Sequence, residues 1–540
     1  MSSHNPDKTR QHVLNMLENS DSHNGSEVRR IDTQVSSVFL AGDRVYKLKK
    51  PLRLPFIDHS TLSKRHASAL KEVRINRRTA PDIYLGVAPV IEDAAGKLSI
   101  GKIGQEAAPD QGCIRDWLVV MRRFDDRKLL SRVVDEGTLS GDDMETLGEV
   151  IATSQNKNPI VRDRDCFDLL ASNVKATFGG LNKTRHLTGE ARLSALKART
   201  QSAIAKLRPQ IEQRGKDGKV RLCHGDMHLA NIVMLDGKPT PFDALEFNDD
   251  LASLDTAMDV AFPLADLLRR GKTQLANRLM ISWLEHSNDW SAVKLLPTFI
   301  AQRAQIRTMT AAGIAADATD QARKDKAMAE AEQWLSLSER LLQPTKPRLV
   351  VISGLSGSGK TTLARGLAHQ MPGGAGAVHL TTDRTRKMLW GAKPTDKLPP
   401  DAYRPEISRK VIAEIERRAE ICLRNGQSVV VDGIMNFKAR RVLFEDLAKR
   451  TGAEFDGLWL DVPADELRRR VGIRAKGTSE SDAGVDILEG QLKGFRPAAF
   501  GTWKRIDGFG TPEQVQDRVK QAVLPSPKPP KADRRSSLTP

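Results

Sequence analysis

The sequence has few cysteines, and none of them are paired at close spacing. Its four cysteines, Cys113, Cys166, Cys223 and Cys422, are scattered along 540 residues. This spacing argues against a disulfide framework and against a cysteine-ligated zinc site. A reducing compartment suits such a chain, so we expect a cytoplasmic protein.

Long apolar runs are also missing. Runs such as RLVVISG have the length of a strand and are far too short to span a membrane. The polar first twenty residues lack the apolar centre of a secretory signal. We therefore expect no membrane association.

Aromatic residues are scarce at 5%, whereas the net charge is strongly positive at +17. A basic chain indicates either an enzyme that handles small anions such as nucleotides or a protein that binds nucleic acid. Because Lys and Arg are spread along the chain and few rings are available for base stacking, nucleic-acid binding is possible but not favoured.

Composition and periodicity divide the chain into five parts. We expect a flexible N-terminus (1–27), a first domain (28–310), a helix and linker (311–346), a second domain (347–525) and a disordered tail (526–540). Within the first domain, residues 28–124 are rich in predicted strands and residues 125–310 are mainly helical. This pattern predicts two lobes.

The strand-rich lobe contains two local signals. VSSVFLAGDRVYKLKK predicts two strands joined by a turn at Ala41–Arg44. The following stretch, STLSKRHASALKEVRINRRTA, predicts the single helix of this lobe, with Ser60 as its cap.

The second domain opens with GLSGSGKT at Gly354–Thr361, which matches G-x-x-x-x-G-K-[ST] between an apolar strand and a helix. In such a loop, backbone N–H groups surround a phosphate, the lysine reaches the β- and γ-phosphates, and the hydroxyl ligates Mg²⁺. The predicted nucleotide-binding residues are Gly354, Ser356, Gly357, Ser358, Gly359, Lys360, Thr361 and Thr362. Of these, Lys360 also acts on the transferring phosphoryl group and Thr361 on the metal.

Strands and helices alternate after this loop, which predicts a parallel sheet. Asp383 is a candidate to accept the proton of an acceptor hydroxyl, and Arg386 to hold an anionic group. Asp432 ends a strand where it can support Mg²⁺ through water, and Arg470 with Arg474 can form a lid over the phosphate. The alternatives are a capping aspartate and solvated arginines.

Residues 347–525 resemble the P-loop small-molecule kinases, such as gluconate kinase, and also the zeta-toxin and polynucleotide kinases. The resemblance depends mainly on the GLSGSGKT motif. It implies ATP and Mg²⁺ as cofactors but does not identify the acceptor.

A second motif, LCHGDMHLAN, occurs at Leu222–Asn231, and a strand-end Asp243 follows it. A kinase-like site needs an Asp to orient the attacking hydroxyl, and an Asn and a second Asp to hold Mg²⁺. Asp226, Asn231 and Asp243 supply these groups in that order. The competing hypothesis is a metal-hydrolase cluster of His224, Asp226 and His228.

At these residues the chain resembles the aminoglycoside phosphotransferase and choline kinase family. The resemblance implies Asp226 as catalytic base, Asn231 and Asp243 as Mg²⁺ ligands, and a structural role for His224. It also implies a strand lysine and a helix glutamate that bind nucleotide, which we assign to Lys47 and Glu72.

Lys49 shares a strand face with Lys47, but Lys47 directly follows the apolar Val45-Tyr46 and is preferred. Glu246 is a further candidate to assist the metal or the substrate. No G-x-G-x-x-G loop precedes Lys47, where only LAGDR stands.

These patterns predict a multidomain α+β and α/β protein, in which a bilobal protein-kinase-like domain precedes a P-loop NTPase domain with a parallel β-sheet. The resemblances imply an ATP-dependent phosphotransferase with two nucleotide-binding domains and a small-molecule hydroxyl as acceptor. Two alternatives stay open. One is a pseudokinase or ligand-sensing first domain that regulates the P-loop domain, and the other is a nucleic-acid-binding stress-response protein with an ATP-driven switch.

Overall fold

A computed structural model of the chain describes residues 6–54, 57–104, 112–162, 165–474, 482–494 and 501–524. The chain forms two compact units, Met1–Arg270 with Thr298–Glu339 and Gly271–Pro297 with Arg340–Pro540. None of the described helices is both long and apolar enough to cross a bilayer. The predicted tail at 526–540 lies outside the described residues.

The first lobe of the first unit is built on an antiparallel sheet. Its elements are α1 (Pro6–Glu18), β1 (Val28–Asp32), β2 (Ser36–Ala41), β3 (Arg44–Lys49), β4 (Arg53–Leu54), β5 (Ile57–Asp58), α2 (Leu62–Asn76), β6 (Tyr84–Glu92), β7 (Leu98–Ile100) and β8 (Cys113–Arg122). Six strands pair in the order β1-β2-β3-β8-β6-β7. The predicted turn between β2 and β3 is confirmed, since Ala41 pairs with Arg44.

Helix α2 packs on one face of this sheet through Ala69 and Val73, which lie in one cluster with Val45 and Val119. Its N-cap is Thr61, whose side chain accepts a hydrogen bond from the Lys64 N–H. The prediction of Ser60 as the cap is therefore wrong by one residue. The Ser60 hydroxyl instead donates to Asp58.

The N-terminal segment differs from the prediction of a flexible 1–27. Residues 6–18 form α1, and Val13, Leu14 and Leu17 are buried in a cluster with Phe39 and Leu48 on the other face of the sheet. Burial of these apolar side chains fixes the helix against the sheet. The expectation of flexibility is wrong for these residues, because its polar composition hid a narrow apolar stripe.

The helical lobe follows. Its elements, with α10 included for chain order, are α3 (Leu130–Glu136), α4 (Gly141–Lys157), α5 (Cys166–Lys183), α6 (Arg185–Thr188), α7 (Glu190–Lys216), β9 (Val220–Leu222), β10 (Ile232–Leu235), β11 (Lys238–Pro241), α8 (Asp249–Ala252), β12 (Ser253–Asp255), α9 (Thr256–Arg269), α10 (Thr273–Ser287), α11 (Leu296–Asp317) and α12 (Gln321–Leu341). The predicted hairpin after LCHGDMHLAN is confirmed by the pairing of β10 with β11.

The second unit has the predicted parallel sheet, with strand order β14-β15-β13-β16-β17. Its elements after α12 are β13 (Arg348–Ser353), α13 (Lys360–Ala368), β14 (Val378–Thr381), α14 (Thr382–Trp390), α15 (Pro405–Arg424), β15 (Val429–Gly433), α16 (Lys438–Thr451), β16 (Glu454–Asp461), α17 (Ala464–Arg474), α18 (Val485–Gly494), β17 (Lys504–Asp507) and α19 (Pro512–Val523). The predicted fold class, α+β followed by α/β, is confirmed.

Helix α10 belongs to the second unit, although the predicted first domain runs to residue 310. Asn277 on α10 donates to the carbonyls of Ala375 and Ala377 at 2.8 and 2.9 Å. Glu285 pairs with Arg384 on α14 at 2.7 Å. These long-range contacts explain why a boundary drawn at 310 does not separate the two units.

Candidate active sites

The HGD motif lies in a loop between β9 and β10. Gly225 has φ +83°, and a Cβ there would lie 2.7 Å from the Leu245 side chain, so glycine is required at this position. The loop ends in a single helical turn at Leu229–Asn231. The required glycine and the helical turn therefore restrict the backbone conformation of this loop.

Two buried aspartates of α9 accept hydrogen bonds from the backbone N–H groups of this loop. Asp259 accepts the N–H groups of His224 and Gly225 at 3.3 and 3.0 Å, and Asp266 accepts that of Leu229 at 3.2 Å. Sequence reasoning missed both residues. Their signal was present, because two acidic residues seven positions apart share one face of an otherwise apolar helix.

The His224 ring is committed to the loop itself. Its Nε2 lies 2.9 Å from the Phe242 carbonyl, and its Nδ1 accepts the Asp226 N–H at 3.4 Å. Burial lowers the pKa of His224, which favours the neutral ring that this pattern requires. Both ring nitrogens are in use, so the metal-hydrolase hypothesis loses one of its three ligands.

Asn231 and Asp243 flank the open end of the β10–β11 hairpin. The Phe242 N–H donates to the Asn231 carbonyl, and the Asn231 amide donates to the backbone and side chain of Asp226 at 3.0 and 3.4 Å. Asp243 has φ +60°, a strained conformation for this residue type, and its N–H donates to the Tyr84 hydroxyl. The predicted base and both predicted metal ligands are thus neighbours.

This oxygen set fits a hard divalent cation. The carboxylates of Asp226 and Asp243 are 42% and 47% exposed, so they remain accessible, and Asn231 adds an amide oxygen. Magnesium is bound in nucleotide enzymes by one or two carboxylates together with phosphate oxygens.

Lys47 joins the two lobes of the site. Its ammonium lies 2.8 Å from Glu72 on α2 and 3.1 Å from Asp243. Burial works to lower the pKa of Lys47, but Asp243 and Glu72 outweigh it and raise the pKa well above its usual value. The predicted lysine and glutamate are therefore paired, and their pair reaches a predicted metal ligand.

Lys49 forms a buried ion-pair network with Glu72 and Glu246, which the sequence did not predict as a network. It donates to Glu72 at 2.7 Å and to Glu246 at 2.8 Å, and its side chain is only 2% exposed. Burial and the neighbouring Glu72 raise the pKa of Glu246. Lys49 is thus a second lysine on the same glutamate, fixed between the sheet and the loop after Asp243.

The described strands before Lys47 have short turns in place of a glycine-rich loop. Residues 33–35 join β1 to β2, and Gly42-Asp43 joins β2 to β3. The first of these turns is closed by Ser37, whose hydroxyl donates to Asp32 at 2.7 Å. This agrees with the missing G-x-G-x-x-G signal.

Sequence reasoning also missed Arg303 on α11. It is buried over the Phe262 ring, with Cζ 3.6 Å from the ring centroid. Burial lowers the pKa of Arg303 to about 10, while Asp259 and Asp226 act in the opposite direction. Its charge therefore lies within electrostatic reach of the predicted base.

In the second unit, the GLSGSGKT loop connects β13 to α13. Gly357 and Gly359 have φ +85° and +89°, and a Cβ on Gly357 would meet the Leu467 carbonyl at 3.0 Å. Gly354 starts the loop, and Thr361 and Thr362 lie in the first turn of α13. Among the described atoms, the buried Ser358 hydroxyl has no hydrogen-bond partner, which suits a loop shaped for a phosphate.

Lys360 is half-buried at the N-terminus of α13 and donates to the Leu355 carbonyl at 3.0 Å. Burial lowers the pKa of Lys360, and Asp432 and Asp383 oppose this effect. Asp432 at the end of β15 contacts His379 at 2.8 Å, a partner the sequence did not suggest. Asp383 and Asp432 are therefore both close enough to Lys360 to interact electrostatically with its ammonium.

The two predicted lid arginines differ in their surroundings. Arg474 lies within electrostatic reach of Lys360 and Asp383 and donates to the Ala483 carbonyl at 2.5 Å. Arg470 is instead bound to Glu466 at 2.7 Å and to the Gly508 carbonyl. Arg474 is thus beside the predicted site, whereas the lid role of Arg470 stays a prediction.

Comparison with known proteins follows the same division of the chain. A family model described as an AAA domain matches residues 349–498. The adenylate kinase of Thermus thermophilus is 28% identical over 186 residues, 32% of this chain and 96% of that enzyme. A longer match, 28% identical over 499 residues, is to the uncharacterized protein Rv2004c of Mycobacterium tuberculosis, covering 89% of this chain and 93% of that one.

Among solved structures, a gluconokinase from Sinorhizobium meliloti covers 33% of this chain and 94% of its own, with 20% identity and a TM-score of 0.24. A choline/ethanolamine kinase family protein from Mesorhizobium loti covers 61% of this chain and 99% of its own, with 15% identity and a TM-score of 0.34. The P-loop resemblance predicted from the sequence is therefore supported at residues 349–498 by the family model and by the similarity to adenylate kinase.

Proposed function

We propose that this protein is an ATP-dependent phosphotransferase with a separate active site in each unit. Each site would transfer the γ-phosphoryl group of ATP to a hydroxyl of a small molecule. The observation that carries the proposal is Lys47, whose ammonium bridges Glu72 and Asp243 at 2.8 and 3.1 Å. Kinase-like sites likewise pair the phosphate-binding lysine with a helix glutamate and place an aspartate on Mg²⁺.

In the first unit, Lys47 would exchange Asp243 for phosphate oxygens of ATP while Glu72 keeps it oriented. Asn231 and Asp243 would hold Mg²⁺, which neutralises charge on the phosphates when bound. Asp226 would accept the proton of the acceptor hydroxyl as that oxygen attacks the γ-phosphorus. Positioning and charge neutralisation supply most of the rate in such a reaction.

In the second unit, the N–H groups of the GLSGSGKT loop and Lys360 would hold the phosphates of ATP. Thr361 and Asp432 would support Mg²⁺, and Asp383 would accept the acceptor proton. Support comes from the shared electrostatics of Lys360, Asp383 and Asp432 and from the buried, unpartnered Ser358 hydroxyl among the described residues.

A second candidate function is a ligand-sensing first unit that regulates the P-loop unit. The short turns at residues 33–35 and Gly42-Asp43 favour it, because neither supplies a glycine-rich cover for phosphates. In that case Lys47 would keep its ion pair with Asp243, and nucleotide would not be used there.

Paired substitutions in the full chain separate these functions. With a library of hydroxylated metabolites and ATP–Mg²⁺, we expect Asp226→Asn to lower one transfer activity by about 10²–10⁴-fold, the usual share of a general base. Lys360→Ala should remove the other activity and leave the first. Products are identified by mass spectrometry and ADP release.

The matched control is Asp236→Asn, an exposed aspartate with positive φ in the turn of the β10–β11 hairpin. It should leave both activities within twofold. If Lys360→Ala removes all ATP turnover and Asp226→Asn changes none, the first unit is a sensor and the proposal fails for that unit.

A further inference from the structure

The helical lobe of the first unit encloses a cavity that the proposed reaction does not use. Its volume is about 40 Å³, and its walls come from α5, α7, β9, β12, α9 and α11. All of the residues that line it belong to the first unit. The cavity has room for about three waters, or for an organic ligand of a few heavy atoms.

Arg303 on α11 brings a positive charge to this cavity. It is 8% exposed, and among the described residues its Nε and Nη2 have no hydrogen-bond partner. These two nitrogens form one edge of the guanidinium, and their parallel N–H groups match the two oxygens of a carboxylate. Because a buried charged donor without a partner is costly, this edge indicates a ligand with two anionic oxygens.

The Phe262 ring on α9 fixes the plane of this guanidinium. The Arg303 Cζ lies 3.6 Å from the centre of the ring, so the ring covers one face of the guanidinium. A guanidinium stacked in this way keeps its donors free, because the N–H groups lie in its plane. The stacking therefore orients Arg303 and leaves its Nε–Nη2 edge able to bind.

The acidic groups near Arg303 do not occupy this edge. Asp255 also lines the cavity, but it is bound to Arg214 at 2.6 and 2.8 Å. Asp259 accepts backbone N–H groups of the HGD loop. Asp226 and Asp259 oppose the effect of burial on the pKa of Arg303, yet neither is hydrogen-bonded to its Nε or Nη2. The described carboxylates thus leave the edge to a ligand.

Gln302, the preceding residue, adds a hydrogen-bond acceptor to the same cavity. It is 2% exposed, and its Oε1 has no partner among the described residues. A carboxylate offers no donor to an amide oxygen, so a ligand that satisfies both residues also carries a hydroxyl. The remaining wall is mainly apolar and suits a short carbon skeleton, since it includes Leu169, Leu170, Ile211, Met258 and Phe299.

We propose that this cavity binds a short aliphatic hydroxycarboxylate, whose carboxylate pairs with the Arg303 edge and whose hydroxyl donates to Gln302. Among the described residues that line the cavity, none lies in Leu222–Asp243, which contains the HGD loop and the β10–β11 hairpin. The ligand is therefore bound apart from the place where Asp226 would receive an acceptor hydroxyl, and it is not the phosphoryl acceptor. This inference does not depend on phosphotransfer in either unit.

Calorimetric titration of the full chain without nucleotide tests the site. The probes are L-lactate and 3-hydroxypropionate, with propionate as the analogue that lacks either hydroxyl and lactamide as the analogue that lacks the charge. We expect at least one hydroxycarboxylate to bind about threefold or more tightly than propionate, as expected for one additional hydrogen bond. Lactamide should bind at least about tenfold more weakly than lactate, because it cannot form the charge-assisted pair.

Substitutions at the two neighbouring residues separate the two contacts. Arg303→Met should weaken binding of the hydroxycarboxylate at least about tenfold, and Gln302→Leu should make it bind no better than propionate. If Arg303→Met does not fold, Arg303→Lys should show the same weakening, since lysine keeps the charge but lacks the two-nitrogen edge. Arg307→Met, one turn later on α11 with a 41% exposed side chain, is the matched control and should leave binding unchanged.

Thermal unfolding gives a second readout. A ligand that binds only the folded state raises the Tm as its concentration rises, so the hydroxycarboxylate should raise the Tm of the full chain but not that of Arg303→Met. A Kd above about 10 mM for both hydroxycarboxylates, equal binding of propionate, or binding insensitive to Arg303→Met and Arg303→Lys would overturn the inference.

The outcomes also separate this site from the proposed reaction. Binding that needs Arg303 supports the site even if the first unit transfers no phosphate, a result that contradicts only the proposed function. Phosphorylation of lactate or 3-hydroxypropionate that Asp226→Asn abolishes would show that the cavity belongs to the reaction site, and the inference of a separate site would then be wrong.

Discussion

Lys47 and Lys49 contact the same glutamate, but they differ in what else they contact and how deeply they are buried. Lys47 is 15% exposed and reaches Asp243, whereas Lys49 is 2% exposed and reaches Glu246. Lys47 can therefore exchange a partner for a ligand, and Lys49 cannot do so without leaving a buried carboxylate unpaired. We therefore propose that Lys47 binds nucleotide, whereas Lys49 stabilises the first unit.

Substituting each lysine by methionine should separate these roles. Lys47→Met should lower kcat/KM for ATP in the first unit by about 10- to 100-fold, the worth of one charge-assisted hydrogen bond. Lys49→Met should destabilise that unit by about 3–5 kcal/mol, because Glu72 and Glu246 lose a buried cation. Transfer assays and denaturant unfolding measure the two effects. Equal loss of stability in both variants would contradict this division.

His59 predicts a pH dependence of stability in the first unit. It is buried, its Nε2 lies 3.0 Å from the Ser68 hydroxyl, and burial with the nearby Lys49 lowers its pKa to about 4. Its pKa in the unfolded chain is about 6.5. The unfolded state thus binds the proton more readily, so the stabilisation is complete above pH 6.5 and is lost as the pH falls toward 4.

At pH 5 this group should cost about 2 kcal/mol of unfolding free energy relative to pH 7.5. In His59→Gln, which keeps a polar group beside Ser68, the loss between these two pH values should be smaller by that amount. Denaturant unfolding at both pH values measures it, with His12→Gln on an exposed site of α1 as control. An unchanged pH dependence in His59→Gln would show that His59 does not titrate in this range.

The predicted site residues that the structure brings together are those in short motifs. Asp226, Asn231 and Asp243 come together because one loop and one hairpin connect them, so local spacing was enough. Asp259 and Arg303 reach the surroundings of the HGD loop from distant helices. Their contacts depend on packing between elements, which no local spacing encodes.

At the scale of elements, α18 has a direct effect on the P-loop. Gln491 on α18 accepts the Ser356 N–H at 2.9 Å and donates to the Ser356 hydroxyl at 3.0 Å. Leu488 anchors the same helix in a cluster with Leu355 and Val471. The side-chain amide of Gln491 thus occupies one N–H donor of the predicted phosphate-binding loop.

Gln491→Ala should therefore tighten ATP–Mg²⁺ binding at the P-loop about threefold to tenfold, since one competing pair of hydrogen bonds is removed. Calorimetric titration of the full chain measures this, and the gain should disappear in combination with Lys360→Ala. Glu489→Ala on the exposed side of α18 is the matched control. Weaker binding in Gln491→Ala would mean that Gln491 helps to shape the loop.

The helices and strands that the sequence predicted correctly are those specified by local sequence patterns. The β2–β3 hairpin, the β10–β11 hairpin and the parallel strands around GLSGSGKT follow from alternation, turn residues and strand–helix order. Helix α1 was missed because its burial against Phe39 and Leu48 is a tertiary effect. Composition alone predicted a polar and flexible segment there.

At the scale of the whole molecule, the chain enters the second unit twice. Residues 271–297 belong to that unit, and the chain then contributes 298–339 to the first unit before it returns. Two contacts join residues 271–297 to the rest of the second unit. Glu285 pairs with Arg384 at 2.7 Å, and the Arg418 Cζ lies 4.7 Å from the centre of the Trp290 ring. A P-loop domain cut at residue 347 would lose these contacts.

A fragment of residues 347–524 should therefore be less stable than the same unit in the full chain. Losing the partners of Arg384, Ala375 and Ala377 should cost about 3 kcal/mol, which corresponds to a Tm lower by about 10 °C. Addition of a peptide of residues 271–297 should restore much of this Tm, and the peptide carrying Asn277→Ala and Glu285→Ala should not. Calorimetry measures each case. A fragment that melts with the full chain's P-loop transition without the peptide would show that residues 271–297 do not stabilise the second unit.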